Sequence, residues 1–282
     1  ARVGMQEMGS RAGTLISLVA GFIAISIVAW SMDSRALFAV SWSTIPWFAL
    51  LGLIQFPGGR FLNYTGIRLA GVARTTSISG TSPLFAALLA ILFLGEQVTS
   101  SILLGTVAVA VGLALAMSQR GAFPSTHTQK MQGIRTGLVA MGLLCAVAGA
   151  AAYGTGHAVA RHVVTHAAPA PVAATYTLFF GMLFLFIVSL PHLGKDLQAP
   201  RWSLIMMGMA GICSSFGIFF MYTALARAPV MLASPIVATY PLIAMTFTHL
   251  FLQRLERVTP RMVLGAILVA AGITFVVLGQ AS

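Results

Sequence analysis

Charge is what this sequence lacks. Of 282 residues, 7% are Asp, Glu, Lys or Arg, and only five of them are acidic: Glu7, Asp33, Glu96, Asp196 and Glu256. A soluble domain carries about 25% charged residues, so a water-facing globular surface is excluded. Cysteine is nearly absent as well. Cys145 and Cys213 both lie inside apolar segments, which rules out a disulfide framework and a thiolate metal centre and leaves two small buried hydrophobes. No Gly-x-x-x-x-Gly-Lys-[Ser/Thr] run occurs, so a P-loop does not drive this protein. The net charge of +11 is not gathered into a basic patch with interleaved aromatics, which argues against nucleic acid. Single bases between apolar runs instead anchor loops at lipid headgroups.

What the sequence has is apolar length. Hydrophobic residues make up 58% of it, and the mean hydropathy is +0.94. A helix needs about 20 apolar residues to cross a bilayer. Nine such segments are read, at 13–31, 44–66, 75–95, 101–118, 137–160, 172–191, 202–225, 229–252 and 261–279. They are rich in glycine and alanine, as close packing between helices in lipid requires. The expectation is an all-α polytopic membrane protein.

The halves of the chain repeat each other. Tyr64, Thr65, Thr81 and Pro83 align with Tyr222, Thr223, Thr239 and Pro241. Past a two-residue insertion, Glu96, Val98, Thr99, Gly105 and Gly112 align with Glu256, Val258, Thr259, Gly265 and Gly272. The chain divides into a first repeat (1–118), a polar linker (119–136) and a second repeat (137–282). Segment 13–31 matches 172–191, whereas 137–160 has no counterpart, so a tenth helix is expected before Ala1. Five spans per repeat, an odd number, would set the copies in opposite orientations.

The helix Ser82–Leu94, closed by Gly95-Glu96-x-x-Thr99 and followed by the glycine-punctuated LLGTVAVAVG, closely resembles the EamA-like, ten-helix type of the drug/metabolite transporter superfamily. The second copy is a weaker match, with Arg254 and Leu255 intruding before Glu256, and 150–162 resembles the sixth helix of that family. The resemblance implies transport and a multi-pass place in the cell (inner) membrane. It also implies cytoplasmic termini, while the charge bias implies the reverse: one set of loops holds only Arg35, Arg161 and Arg227, which puts the C-terminus outside.

Several polar residues stand inside apolar runs. Arg60 lies well within TIPWFALLGLIQFPGGRFLNYTG. An arginine at depth is costly unless it faces a cavity, a partner or the interface. Its planar fork suits a carboxylate or phosphate, and Gly58 and Gly59 leave room for one; the competing reading is a side chain that snorkels to a headgroup. Asn63 and Tyr64 follow at i+3 and i+4, with Tyr222 the counterpart of Tyr64. Pro83 and Pro241 are read as mid-helix kinks or hinges that free carbonyls and turn Ser79, Thr81, Thr239 and Tyr240 toward a pathway. His157, with Tyr153 four residues before it, is the best-placed histidine; its ordinary role would be a hydrogen-bonded packing residue. Glu96 and Glu256 are read as residues that cap or position helix ends.

These residues point to a secondary transporter, in the export direction, for small zwitterionic or anionic metabolites such as amino acids, working by alternating access. No metal or cofactor is expected, and the partners are a substrate, lipid and at most a second copy of the chain. Two alternatives stand beside this. One is a proton-coupled exporter of cationic drugs with its acid in the expected upstream helix; the other is a non-catalytic structural subunit. An intramembrane enzyme would need a constellation of acids, histidines or an activated nucleophile at depth, and the sequence has none.

Overall fold

A computed structural model of the chain describes residues 10–70, 72–96, 99–117, 132–189, 200–239, 242–243 and 260–281. Every regular element among them is helical. The helices are α1 (Ser10–Phe38), α2 (Ile45–Leu53), a π-helical stretch (Ile54–Phe61), α3 (Leu62–Ala70), α4 (Val72–Ser79) and α5 (Ser82–Leu94). They continue with α6 (Ser100–Met117), α7 (Gln132–His166), α8 (Ala170–Ser189), α9 (Arg201–Arg227), α10 (Val230–Val237) and α11 (Pro260–Ala281).

The polytopic reading holds. Windows within α1, α7, α8 and α9 are each long and apolar enough to cross a bilayer unaided. The expected span 44–66 is assembled from α2, the π stretch and α3, and the span 75–95 is two helices, α4 and α5. Helix α7 begins at Gln132, inside the expected linker, most of which lies outside the described residues. Burial follows the logic of a protein whose solvent is lipid. Large apolar side chains such as Ile27, Leu92, Leu144 and Ile267 point outward, while glycine, alanine, serine and threonine are prominent among the buried positions. Cys213 is one of the exposed residues, so the expectation that both thiols are buried fails for it; Cys145 is partly covered, and neither is bonded to the other.

The chain forms two compact units. The first comprises 1–57 and 159–228, the second 58–158 and 229–282. In the first, α1 packs along α8 and α9, and α2 lies on α8. A Cβ on Gly52 would come 2.7 Å from the backbone nitrogen of Gly181, so those two helices meet backbone to backbone. Phe48 stacks on Tyr176 at 5.1 Å between ring centroids, and the Tyr176 hydroxyl donates to the Leu37 carbonyl at 3.0 Å. Asp33 breaks the α1 helix with extended dihedrals (φ −159°, ψ 93°) and restarts it by accepting the Ala36 N–H at 3.0 Å.

In the second unit, α6 and α11 pack against each other at close range. A Cβ on Gly105 would approach the Gly272 carbonyl at 2.5 Å, and one on Gly272 would approach the Gly105 carbonyl at 2.7 Å. Likewise Gly112 and Gly265 face each other's carbonyls at 2.8 and 2.6 Å. As residue number rises on α6 it falls on α11, so the helices run antiparallel. The pairing is also self-complementary: Gly105 and Gly112 of the first repeat meet the counterparts of Gly112 and Gly105 in the second. Val109 packs at Gly272, and its counterpart Val269 packs at Gly112. A contact in which residue i of one copy meets residue j of the other, and the reverse, is the mark of a two-fold axis. Equivalent helices related by that axis and running antiparallel are inverted with respect to each other, which is the arrangement expected from the span count.

Candidate functional site

The repeat reappears in the local geometry of two broken helices. Val72–Ser79 and Val230–Val237 are equivalent half-helices of eight residues each. After α4, the Ile78 carbonyl accepts both the Thr81 N–H (2.9 Å) and the Thr81 hydroxyl (2.6 Å). After α10, the Ile236 carbonyl accepts both the Thr239 N–H (3.1 Å) and the Thr239 hydroxyl (2.7 Å). The next helical turn then starts with Leu84 on Thr81 and with Leu242 on Thr239, at 2.9 Å in each copy. Proline explains the position of the break, because Pro83 has no N–H to offer the Ser79 carbonyl. Pro83 therefore sits in the first turn of α5 rather than at a kink inside a continuous helix, a correction to the sequence reading. Tyr240 and Pro241 lie outside the described residues.

The π stretch Ile54–Phe61 contains Pro57, Gly58, Gly59 and Arg60. An uninterrupted α-helix would need a Pro57 N–H for the Leu53 carbonyl and would drive the ring into it; the wider π turn relieves both problems. The change to i→i+5 spacing also shifts Arg60 relative to Asn63 and Tyr64, so their relation is not the plain i, i+3, i+4 stripe read from the sequence. Arg60 and Tyr64 are both half-buried.

Along α7, one face carries Gly149, Tyr153 and His157 at four-residue steps. Gly149 lies against the backbone of Asn63 and Gly59, and a Cβ on Gly59 would meet the Tyr153 ring at 2.7 Å. Asn63 donates from its amide to the Ser79 hydroxyl, tying α3 to the end of α4. Ser79 in turn donates to the Thr75 carbonyl at 2.9 Å. The Thr75 hydroxyl itself is buried and has no partner among the described residues. Gly154 presses on the first turn of α5 at Ser82 and Ala86. One turn further, His157 Nδ1 and Ser234 Oγ share a hydrogen bond of 2.9 Å, and both side chains are buried. The second unit thus holds a polar seam on α7, flanked by the π stretch, by the α4–α5 break and by α10.

Ten residues and two prolines were expected at a site, and the structure sorts the described ones. Asn63, Ser79, Tyr153 and His157 belong to the seam, with Arg60 and Tyr64 on the adjoining element. The hydroxyl hydrogens of Ser79, Thr81 and Thr239 are each held by a backbone carbonyl, which leaves oxygen lone pairs, not O–H groups, for anything else. Tyr222 belongs to the first unit. Its hydroxyl accepts from Gln55 Nε2 at 3.1 Å and lies 3.4 Å from Thr177 Oγ1, all three side chains being buried. Gln55 and Thr177 were missed; a glutamine two residues before Pro57 in an apolar span was the available signal. Ser234 was missed because a lone serine in a small-residue helix has no distinguishing pattern.

Glu96 reaches farther than its neighbours in sequence. Its two carboxylate oxygens accept the N–H groups of Val230 (2.8 Å) and Met231 (3.2 Å) at the start of α10. The expected capping role is therefore present, on a helix 134 residues away. Three positions on, Thr99 donates to the Gly279 carbonyl near the end of α11 at 2.8 Å. The glutamate and threonine of the Leu94–Thr99 motif both fasten elements of the second repeat. Among the described residues no group of three or more His, Cys, Asp or Glu could hold a metal ion.

Comparison with known proteins bears on the same features. A model of the EamA-like transporter family matches residues 1–118 and 140–278. A solved crystal structure is similar in fold with a TM-score of 0.73, covering 99% of this chain and 92% of its own at 14% sequence identity. No curated protein matches the sequence.

Proposed function

The chain belongs to the EamA-like transporter family and is a multi-pass membrane transporter of the drug/metabolite type; we propose that it exports a small zwitterionic or anionic metabolite, such as an amino acid, across the cell membrane by alternating access. The observation that carries this reading is Arg60, half-buried in a π-helical interruption of a membrane span beside two glycines. A guanidinium presents a planar fork of donors that a carboxylate matches, and the glycines before it leave room for one. The unit around it supplies what a transported carboxylate would use. Helix α5 starts at the break with no side chain capping it, so its N-terminal dipole favours an anion. Tyr153, Asn63 and the His157–Ser234 pair line the same seam and suit the polar groups of a small metabolite. Among the described residues the only acids are Asp33 and Glu96, and both accept backbone N–H groups; neither stands as a counter-charge for a cation. The Pro57–Gly59 segment and the Gly80–Thr81 break are the flexible points about which access would alternate.

Ligand-dependent thermal stabilisation of the purified protein tests this reading. Amino acids, other organic anions and lipophilic cations are compared on wild type, Arg60→Lys and Arg60→Ala. A bound ligand at about 100 times its Kd adds about 2.7 kcal/mol, a readily measured shift. Stabilisation by acids or zwitterions is expected, weakened in Arg60→Lys and lost in Arg60→Ala. Stabilisation by cations alone, unchanged in both variants, would overturn the proposal in favour of multidrug export.

A further inference from the structure

Helix α10 is poorly equipped to hold its own place. It has eight residues, it follows Pro229, and it contains Pro235. Pro235 has no N–H for the Met231 carbonyl, so even the short intrahelical ladder is incomplete. The first four N–H groups of a helix need outside partners. Here Leu232 and Ala233 both donate to the Pro229 carbonyl at 3.1 Å, and Pro229 as N-cap residue has no side-chain acceptor to offer the other two. Val230 and Met231 donate instead to the carboxylate of Glu96. One turn along the same helix stands Ser234, hydrogen-bonded to His157 of the seam.

Glu96 is itself placed by a specific backbone device. Gly95 ends α5 in the left-handed region (φ 63°, ψ 24°), a conformation open to glycine at little cost. The Gly95 N–H and the Glu96 N–H both turn back onto the Ala90 carbonyl. The reversal delivers the Glu96 side chain to α10, which packs along α5.

We infer that Glu96 is a positioning residue of the transport site: its carboxylate tethers the start of α10 to the end of α5 and so sets Ser234 against His157. This inference rests on the reading of the α7 seam as the site, but the tether itself is open to independent measurement. A local cap and a long-range tether have different consequences. A cap only satisfies N–H groups, and any acceptor at the N-cap does that. A tether also fixes where the half-helix lies, and an acceptor supplied by α10 itself cannot replace it.

The experiment uses His157→Cys/Ser234→Cys in a Cys145→Ala/Cys213→Ala background, joined by a short bifunctional methanethiosulfonate. Cross-linking rate reports the approach of α10 to α7 without reference to any substrate. Glu96→Ala is then added, alone and with Pro229→Asp. The backbone at Pro229 (φ −56°, ψ 153°) is suited to a local aspartate N-cap. Loss of two charge-assisted hydrogen bonds is expected to slow cross-linking about tenfold in Glu96→Ala. Pro229→Asp is expected to recover thermal stability but not the cross-linking rate, and transport by Glu96→Ala with both histidine and serine intact is expected to fall in parallel. Unchanged cross-linking in Glu96→Ala, or full recovery by Pro229→Asp, would reduce Glu96 to an ordinary helix cap and overturn the tether. Slowed cross-linking with unchanged transport would uphold the tether and overturn the assignment of the seam as the site.

Discussion

Tyr222 and Tyr64 occupy equivalent positions in the two repeats, yet their surroundings differ. Tyr222 is fully enclosed, its hydroxyl bonded to Gln55 and close to Thr177, whereas Tyr64 is half-buried. Removing the Tyr222 hydroxyl would strand the Gln55 amide in an apolar setting, and an unsatisfied buried donor costs about 1–3 kcal/mol. Tyr222→Phe is expected to lower stability by that amount in a chemical denaturation series in detergent. Tyr64→Phe is expected to change it by under about 0.5 kcal/mol, as at surface positions away from such networks. Equal effects would show that the Gln55–Tyr222 bond contributes nothing beyond packing. His157 follows the same rule, that a polar side chain in a span is explained by a named partner, and its partner is Ser234.

At the scale of elements, the informative features are the interruptions. Two half-helices end in the same threonine-on-isoleucine turn, and one span passes through eight residues of π-helix around Pro57. Pro57→Ala restores an N–H and removes the ring that an α-helix rejects. A proline in a helix interior costs about 3 kcal/mol, so the variant is expected to be more heat-stable than wild type, by a smaller amount because the π turn already relieves the clash. If the Pro57–Gly59 segment is a point of motion, transport by the same variant falls while ligand binding persists. A variant that is more stable and transports normally would remove this segment from the mechanism. Sequence inspection finds Pro83 and misses the nature of the break, because proline at the first turn of a new helix and proline at a kink look alike along the chain. The π stretch is invisible for a related reason: Pro-Gly-Gly marks a disturbed helix, but only the path of the neighbouring turns decides whether it kinks, unwinds or widens.

At the scale of the whole molecule, the repeat is written twice, once in the sequence and once in the α6–α11 contact. The four glycines at that contact each put a prospective Cβ within 2.5–2.8 Å of the facing helix backbone. Overpacking of this kind costs about 1–3 kcal/mol. The two-fold relation predicts that Gly105→Ala and Gly265→Ala destabilise equally, as do Gly112→Ala and Gly272→Ala, while Gly105→Ala/Gly272→Ala is non-additive because the two residues share one contact. Gly217→Ala, where nothing lies within 4 Å, is expected to stabilise by up to about 1 kcal/mol through helix propensity alone. Melting midpoints for the six variants decide it, and a marked inequality between counterparts would break the symmetry argument.

The sequence by itself determined the solvent, the class and the repeat. Twenty-residue apolar runs nearly free of charge admit no fold but helices in lipid, since only there is every backbone group satisfied within its own segment. Glycine at equivalent places in the two copies announced close helix pairs because lipid offers no hydrophobic drive to bring helices together and backbones must touch. Tertiary structure decided which polar side chains meet. Asn63 with Ser79, His157 with Ser234, Gln55 with Tyr222 and Glu96 with the start of α10 are separated along the chain by 16, 77, 167 and 134 residues. No local periodicity encodes such pairings, because a hydrogen bond depends on where two helices have been brought by packing, and a small or polar residue carries no mark of its eventual partner.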